Sequence, residues 1–180
     1  MRWCVFCGSA PGLEPQFIAD ATALGAAFAQ RGVELVYGGG RVGLMGALAD
    51  AVMAGGGRAI GIIPRALEAR EVANARITDL RVVDSMHERK AMMASLSDGF
   101  IALPGGFGTF EEFCEAVTWV QLGIQQKPCV LANLGGYYDP LVALFDRGVA
   151  SGFISESNRE IVRVVTTLEE LLGALTAPAG

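Results

Sequence analysis

The sequence predicts a single-domain, Rossmann-like α/β fold, a doubly wound parallel sheet with helices on both faces. The 180 residues suffice for one domain with a substantial core. Hydrophobic residues make up 52% of the chain, which fits a globular protein. Strand-like and helix-like segments alternate from one end of the chain to the other, a pattern typical of a parallel sheet.

The predicted elements follow one another in regular order. Short β-branched or apolar runs predict strands at 2–7, 33–37, 58–63, 77–83, 99–103, 128–132 and 161–165. Longer stretches between most of them predict helices near 15–31, 43–55, 85–97, 109–123, 138–151 and 167–175. We find no repeat, low-complexity tract or linker, so residues 1–180 are expected to form one nucleotide-binding catalytic domain.

Charge and hydropathy restrict the classes of function. The net charge is −5 and charged residues make up 18% of the chain, so binding to a nucleic acid backbone is not expected. No apolar run has the length of a membrane span. The N-terminus leads directly into a strand-like run without the architecture of a signal peptide. We therefore expect a cytoplasmic protein that binds neither nucleic acid nor membranes.

The cysteines and the single histidine give little support for a metal site. Cys4 and Cys7 form a C-x-x-C spacing, but residues three apart in a strand point to opposite faces, and no second C-x-x-C follows. Packing of both thiols in the core is favoured over redox or metal chemistry. His87 is the only histidine. We expect no metal and no cofactor.

Three predicted strands run directly into glycine-rich turns. These turns begin at Gly8, at Gly38 and at Pro104. In open α/β sheets ligands bind beyond the carboxyl ends of the strands, where glycine lets the backbone approach and the next helix presents free N–H groups to an anion. The three turns together predict a phosphate site. The segment 38–46 is only a loose dinucleotide fingerprint, and no Walker loop occurs.

Two segments that open helices, 85–90 and 104–112, contain the residues with the clearest chemistry. Arg89 and Lys90 place two cations in a first helical turn, which opposes the helix dipole and suits either a bound anion or a nearby carboxylate. Thr109 and Glu112 have the T-x-x-E spacing of a capping box, in which the glutamate serves only its own helix end. The same spacing occurs at Ser85 with Glu88 and at Thr167 with Glu170. Spacing alone leaves Glu112 open to both a capping and a catalytic interpretation.

The segment Pro104-Gly-Gly-Phe-Gly-Thr-Phe-Glu-Glu112 resembles the P-G-G-x-G-T-x-x-E signature of the Lonely Guy family. These proteins are cytokinin riboside 5′-monophosphate phosphoribohydrolases, long labelled lysine decarboxylases. Met86-His-Glu-Arg-Lys90 is similar to the family's M-H-x-R-K segment, and further matches lie at 7–9, 37–40, 43–46 and 118–123. Ser85 stands where many members have aspartate, with Asp84 before it.

The resemblance implies that Arg89 and Glu112 form the catalytic pair. Together with the glycine-rich turns it leads us to expect the following substrate-binding residues: Gly8, Ser9, Gly39, Gly40, Glu71, Met86, Lys90, Gly105, Gly106, Phe107, Gly108, Thr109 and Thr118. The expected reaction is hydrolysis of the N-glycosidic bond of adenosine 5′-monophosphate or its N6-substituted forms. The resemblance also implies a homodimer, and the helix 109–123 is apolar on more than one side, as an interface helix would be.

Two other functions are compared with the same sequence features, that of a carrier and that of a decarboxylase. A nucleotide or molybdenum-cofactor carrier of related fold would use the same phosphate-binding turns but has no need of the Arg89 and Glu112 pair. A pyridoxal-phosphate decarboxylase requires a Schiff-base lysine. The only lysines are Lys90 and Lys127, and Lys127 precedes Pro128 at a strand entry, the wrong edge of the sheet.

Overall fold

The computed structural model describes residues 1–68 and 72–175. Within this part of the chain seven strands form one sheet, and all their pairings are parallel. The strands are β1 (Arg2–Phe6), β2 (Glu34–Tyr37), β3 (Ala59–Pro64), β4 (Asp79–Val83), β5 (Gly99–Ala102), β6 (Cys129–Ala132) and β7 (Val162–Val165). All seven predicted strands are confirmed, with ends that differ by one or two residues.

Helices connect the strands. They are α1 (Pro15–Arg31), α2 (Gly43–Ala54), α3 (Met86–Leu96), α4 (Phe107–Gln121), α5 (Asp139–Ala150), α6 (Glu156–Glu160) and α7 (Leu168–Ala174). Six of them correspond to predicted helices. The five-residue α6 was not predicted, because one and a half turns are too short for a helical period to show in the sequence.

The first turn of α4 differs from the expectation. The helix begins at Phe107, two residues before the predicted start, and its N-cap is Gly106, which offers no side-chain cap. Thr109 therefore lies inside the helix, and the capping-box interpretation of Thr109 and Glu112 is wrong. The other two pairs do cap their helices, since Ser85 accepts a hydrogen bond from the Glu88 N–H and Thr167 accepts one from the Glu170 N–H.

The strand order explains where a ligand can bind. The order across the sheet is β4-β3-β2-β1-β5-β6-β7, so the chain reverses its direction of winding between β1 and β5. Connections that leave these two neighbouring strands pass to opposite faces, and a crevice opens beyond their carboxyl ends. The turns after β1 and β5 are two of the three glycine-rich turns of the sequence.

Both faces of the sheet are covered by helices. One core contains Phe28 of α1, Leu48 of α2 and Leu171 of α7. The other contains Met93 of α3 and Phe113 of α4. The alternation along β1 separates the C-x-x-C pair, because Cys7 packs in the first core and Cys4 in the second. Burial raises the pKa of both thiols, as expected for core cysteines.

Among the helices of the described residues, none combines the length and the apolar character that crossing a bilayer requires.

Candidate active site

A cavity of about 300 Å³ lies at the carboxyl ends of β1, β2 and β5, at the point where the strand order reverses. Backbone of the glycine-rich turns forms one side of it, and side chains of α2, α3 and α4 form the other. Its lining includes Cys7, Gly8, Ser9, Gly38, Met45, Leu67, Met86, Arg89, Gly106, Phe107, Gly108, Thr109, Glu111 and Glu112.

The turns after β1 and β5 are fastened to each other. The Gly8 N–H donates to the Pro104 carbonyl at 3.0 Å. Gly105 has no room for a side chain, because a Cβ there would overlap the Thr109 hydroxyl and lie 2.9 Å from the Gly8 nitrogen. The close packing of two glycine turns therefore fixes the backbone that faces the cavity.

Two tyrosines from the β6–α5 connection hold the β5 turn in place. The Tyr137 hydroxyl donates to the Gly105 carbonyl at 2.6 Å, and the buried Tyr138 hydroxyl donates to the Leu103 carbonyl at 2.6 Å. Neither tyrosine can be identified from the sequence, since neither belongs to a motif and the contacts span more than thirty residues. Both support the turn from behind the cavity.

The first turn of α4 leaves donors available to a ligand. The amide groups of Phe107, Gly108 and Thr109 have no helical carbonyl to bond, as in the first turn of any α-helix. The N-cap residue is Gly106, which has no side chain to accept hydrogen bonds from these amides. Since the positive end of the helix dipole adds to these donors, this end of the cavity suits an anion such as a phosphate.

Arg89 is held deep in the site by backbone carbonyls. Its side chain is 6% exposed. Its Nε donates to the Ile62 carbonyl at 3.1 Å, and its Nη2 donates to the Gly38 carbonyl at 3.0 Å. A Cβ at Gly38 would overlap the guanidinium, so glycine is required there. The glycine-rich turn at Gly38 thus makes room for an arginine.

Glu112 faces the remaining nitrogen of Arg89. Its Oε1 lies 3.8 Å from Arg89 Nη1, and its side chain is 11% exposed. After burial itself, the negative charge of Glu112 is the second cause that raises the pKa of Cys4 and Cys7. The structure therefore brings together the two residues expected to form a catalytic pair, with the carboxylate largely withdrawn from bulk water.

Lys90 is absent from the lining of this cavity and contacts α4 instead. Its Nζ donates to Glu111 Oε1 and lies 3.0 Å from Glu115 Oε1. Of the two explanations for a cation at this helix start, an anionic ligand or nearby carboxylates, carboxylates are the partners in the structure. The other lysine, Lys127, donates to the Ala94 carbonyl at the far end of α3.

The remaining expected residues fall into four groups. Gly8, Ser9, Met86 and the segment 106–109 line the cavity, and Gly105 lines an adjoining one. Gly39 and Gly40 are buried beside it, where they pair with Ala73 and Asn74. Thr118 lies in a separate groove beside α5 and α6, and its hydroxyl donates to the Cys114 carbonyl at 2.7 Å. Glu71 lies outside the described residues.

Seven lining residues are absent from the expected set: Val5, Phe6, Cys7, Gly38, Met45, Leu67 and Glu111. Gly38 and Glu111 stand next to expected positions in their motifs. Met45 and Leu67 add apolar surface to the lining, and only their position at the start of α2 and after β3 brings them there. Within the described residues, no three side chains of histidine, cysteine, aspartate or glutamate form a group suited to a metal ion.

The sequence profile of a family described as possible lysine decarboxylase matches residues 45–175. Two plant proteins are similar over most of their length. One from Oryza sativa subsp. japonica, named probable cytokinin riboside 5′-monophosphate phosphoribohydrolase, is 53% identical over 95% of this chain and 77% of its own. One from Arabidopsis thaliana, named cytokinin riboside 5′-monophosphate phosphoribohydrolase, is 48% identical over 97% of this chain and 81% of its own.

Solved structures share the fold at much lower identity. The molybdenum cofactor carrier protein of Chlamydomonas reinhardtii superposes with a TM-score of 0.73 at 21% identity, over 97% of this chain and 94% of that one. The molybdenum cofactor binding protein of Rippkaea orientalis has a TM-score of 0.69 at 23% identity, over 98% and 97%. These similarities concern the fold alone. By its sequence, the chain belongs to the family of the cytokinin riboside 5′-monophosphate phosphoribohydrolases.

Proposed function

We propose that the protein hydrolyses the N-glycosidic bond of adenosine 5′-monophosphate or its N6-substituted forms, releasing the free base and ribose 5-phosphate. The observation that carries the proposal is the buried pair of Arg89 and Glu112, set beside the uncapped start of α4. Family membership supports the same reaction, because the similar plant proteins are named for it.

The proposed mechanism assigns the phosphate to the start of α4. The 5′-phosphate accepts hydrogen bonds from the amides of Phe107, Gly108 and Thr109, which have no helical acceptor. Gly8 and Ser9 close the same end of the cavity. Glu112 lies one and a half turns further along α4, so a ribose anchored by its phosphate places C1′ near the carboxylate.

Glu112 then acts on the reacting carbon. Cleavage gives the sugar oxocarbenium character, which a nearby carboxylate stabilises. The oxygen of a water molecule bonds to C1′, the C1′–N bond breaks, and its electron pair leaves with the base. One proton of the water passes to Glu112 as the general base. The departing base takes a proton from solvent and leaves as the neutral free base, and Glu112 returns its proton to solvent. Arg89, fixed by two carbonyls, orients the carboxylate.

The base is assigned to the apolar side of the cavity. Met86, Met45 and Leu67 line it there. Methionine adapts its shape to irregular neighbours, which suits a purine carrying variable N6 substituents. The preference among such substituents stays a matter for measurement on a panel of N6-substituted monophosphates.

The test is the release of base from wild-type protein, followed by chromatography. We expect adenine from AMP and little from adenosine, because adenosine lacks the phosphate that α4 anchors. We also expect turnover to survive a chelator and to need no added pyridoxal phosphate. Comparable turnover of AMP and adenosine would contradict phosphate anchoring, and loss of activity on chelation that a divalent ion restores would contradict metal independence.

A carrier of a nucleotide or of the molybdenum cofactor is the second candidate, favoured only by the shared fold. Such a carrier requires the phosphate-binding turns but no buried carboxylate beside the ligand. Tight binding of AMP with no adenine released over hours would favour the carrier.

We further propose that the protein is a homodimer with α4 at or near the interface. We also propose that it is cytoplasmic and that residues 1–180 form one domain. Exposed apolar side chains at both ends of α4, Phe107 at 91% and Leu122 at 63%, support the interface. All four cysteines are free thiols, which suits a reducing compartment. Sedimentation at micromolar concentration tests the dimer, and a fully active monomer would contradict it.

A further inference from the structure

Lys90 forms an ionic link between α3 and α4. Its Nζ contacts the carboxylates of Glu111 and Glu115, which lie on the same face of α4, and its own side chain is only 11% exposed. Lys90 follows Arg89 in sequence, and Glu111 precedes Glu112. The ion pairs therefore join the two helices one residue away from the proposed catalytic pair.

A second, much smaller cavity also borders Glu112, and Lys90 lines it. It measures about 10 Å³, which is close to the space that one water molecule needs. Lys90, Glu112 and Glu115 contribute its polar groups, and Phe6, Phe100 and Trp119 its apolar walls. Lys90 and Glu112 thus line the same small cavity, whereas Lys90 is absent from the lining of the substrate cavity.

The surroundings of Lys90 favour the existing ion pairs over a phosphate. Burial lowers the pKa of Lys90, but hydrogen bonds to Glu111 and Glu115 outweigh it, and the net shift is upward. The ammonium group is therefore charged and already paired with two carboxylates. A dianionic phosphate would have to displace one of them and then lie beside a like charge.

The geometry points to Lys90 as a positioning residue: anchored by Glu111 and Glu115, it holds α3 and α4 at the separation at which Arg89 meets Glu112, without touching the nucleotide. This inference rests on the proposed function, since it assigns a role toward the proposed catalytic pair. The 3.8 Å between Arg89 Nη1 and Glu112 Oε1 leaves little tolerance for a shift of either helix. Misplacement of a reacting group by about 1 Å costs roughly a hundredfold in rate.

The test compares kcat and KM for AMP in four variants. Lys90→Met removes the charge at similar length, Lys90→Arg keeps it, and the double variant Glu111→Gln/Glu115→Gln removes the partners while Lys90 stays. Lys127→Met is the matched control, because Lys127 is the other lysine of the chain and donates to the Ala94 carbonyl, at the end of α3 opposite to Lys90. Thermal unfolding is recorded for each variant to verify that it folds.

We expect kcat of Lys90→Met to fall about tenfold or more while KM stays within about twofold, as for a group that acts on the transition state through geometry. The double glutamine variant should lose kcat in the same way, Lys90→Arg should recover most of it, and Lys127→Met should keep both constants. If Lys90→Met does not fold, Lys90→Arg and the double variant decide the question.

Two results would overturn the inference. A large rise in KM for Lys90→Met with unchanged kcat, together with wild-type kinetics for the double variant, would make Lys90 a direct phosphate ligand. Wild-type kinetics for both Lys90→Met and the double variant would leave Lys90 with no part in the reaction. A wild-type protein that releases no adenine from AMP refutes the proposed function, and the inference with it. Failure of the inference alone leaves that wild-type activity intact.

Discussion

The starts of α7 and α4 share a T-x-x-E spacing but have different structures. At α7, Thr167 is the N-cap and accepts from the Glu170 N–H, while the Glu170 carboxylate accepts from the Thr166 N–H at 2.7 Å. The glutamate is exposed and serves the end of its own helix. At α4 the N-cap is Gly106, Thr109 is buried inside the helix, and Glu112 faces Arg89 on another helix.

The difference shows what makes a helix start able to bind a ligand. At a helix start with a capping box, the N-cap side chain accepts a hydrogen bond from a free amide of the first turn. The glutamate carboxylate in turn accepts one from the backbone before the helix. The glycine cap of α4 leaves the amides of the first turn available, and Glu112 lies beyond that turn, where it faces Arg89. An arginine held by backbone carbonyls then gives that carboxylate a partner. The contrast can be tested at both helices.

The largest expected effect is that of Glu112→Gln. The change removes the negative charge while it keeps the shape, so turnover of AMP should fall by roughly a hundredfold or more. The fold should persist, since glutamine still offers an oxygen toward Arg89, with the free energy of unfolding within about 2 kcal/mol of wild type. Glu170→Gln is the matched control and should turn over AMP normally. Near-normal turnover in Glu112→Gln would remove the proposed catalytic role.

Arg89→Ala should lower both turnover and stability. It removes the hydrogen bonds to the buried carbonyls of Ile62 and Gly38, at about 1–3 kcal/mol each. If Arg89 and Glu112 act as a unit, the double variant Arg89→Ala/Glu112→Gln loses less turnover than the product of the two single losses. The turnover of the wild type, the two single variants and the double variant is measured to compare these losses. Multiplicative losses would mean that the two residues act independently.

Replacing Gly105 and Gly108, at the start of α4, by alanine should change the free energy of unfolding in opposite directions. A Cβ at Gly105 overlaps the Thr109 hydroxyl, whereas a Cβ at Gly108 meets nothing within 4 Å. Gly105→Ala should lower the free energy of unfolding by about 1–3 kcal/mol through overpacking. Gly108→Ala, inside the helix, should raise it by up to about 1 kcal/mol. Urea denaturation measures both, and equal stabilities would contradict the described packing of the turn.

The smallest effect concerns the pH dependence of the α7 cap. The Thr166 N–H and hydroxyl hold the pKa of Glu170 below its ordinary value. A carboxyl whose pKa is depressed by folding stabilises the protein above its unfolded pKa, about 4.3, and loses this contribution as the pH falls through the folded pKa. The melting temperature of Glu170→Gln should therefore be slightly below wild type at pH 7 and converge with it on acidification. A constant difference down to pH 3 would contradict the cap.

The alternation of apolar runs was sufficient to predict the sheet and six helices, because those elements are long enough to show a period. The start of α4 was misplaced because a glycine cap leaves no side-chain signal, while Thr109 and Glu112 imitate one. Arg89 and Glu112 could be paired only through the resemblance. The partners of Lys90 and the support from Tyr137 could not be predicted, since they depend on contacts between distant segments.

The absence of a side chain at Gly38 also constrains how this protein can diverge. The Arg89 guanidinium occupies the space that a Cβ at position 38 would need, so the two positions cannot vary independently. A larger residue at 38 would have to displace the guanidinium from the Gly38 and Ile62 carbonyls, and with it the group that faces Glu112. Descendants of such a sequence that retain the arginine in this position are therefore expected to retain the glycine.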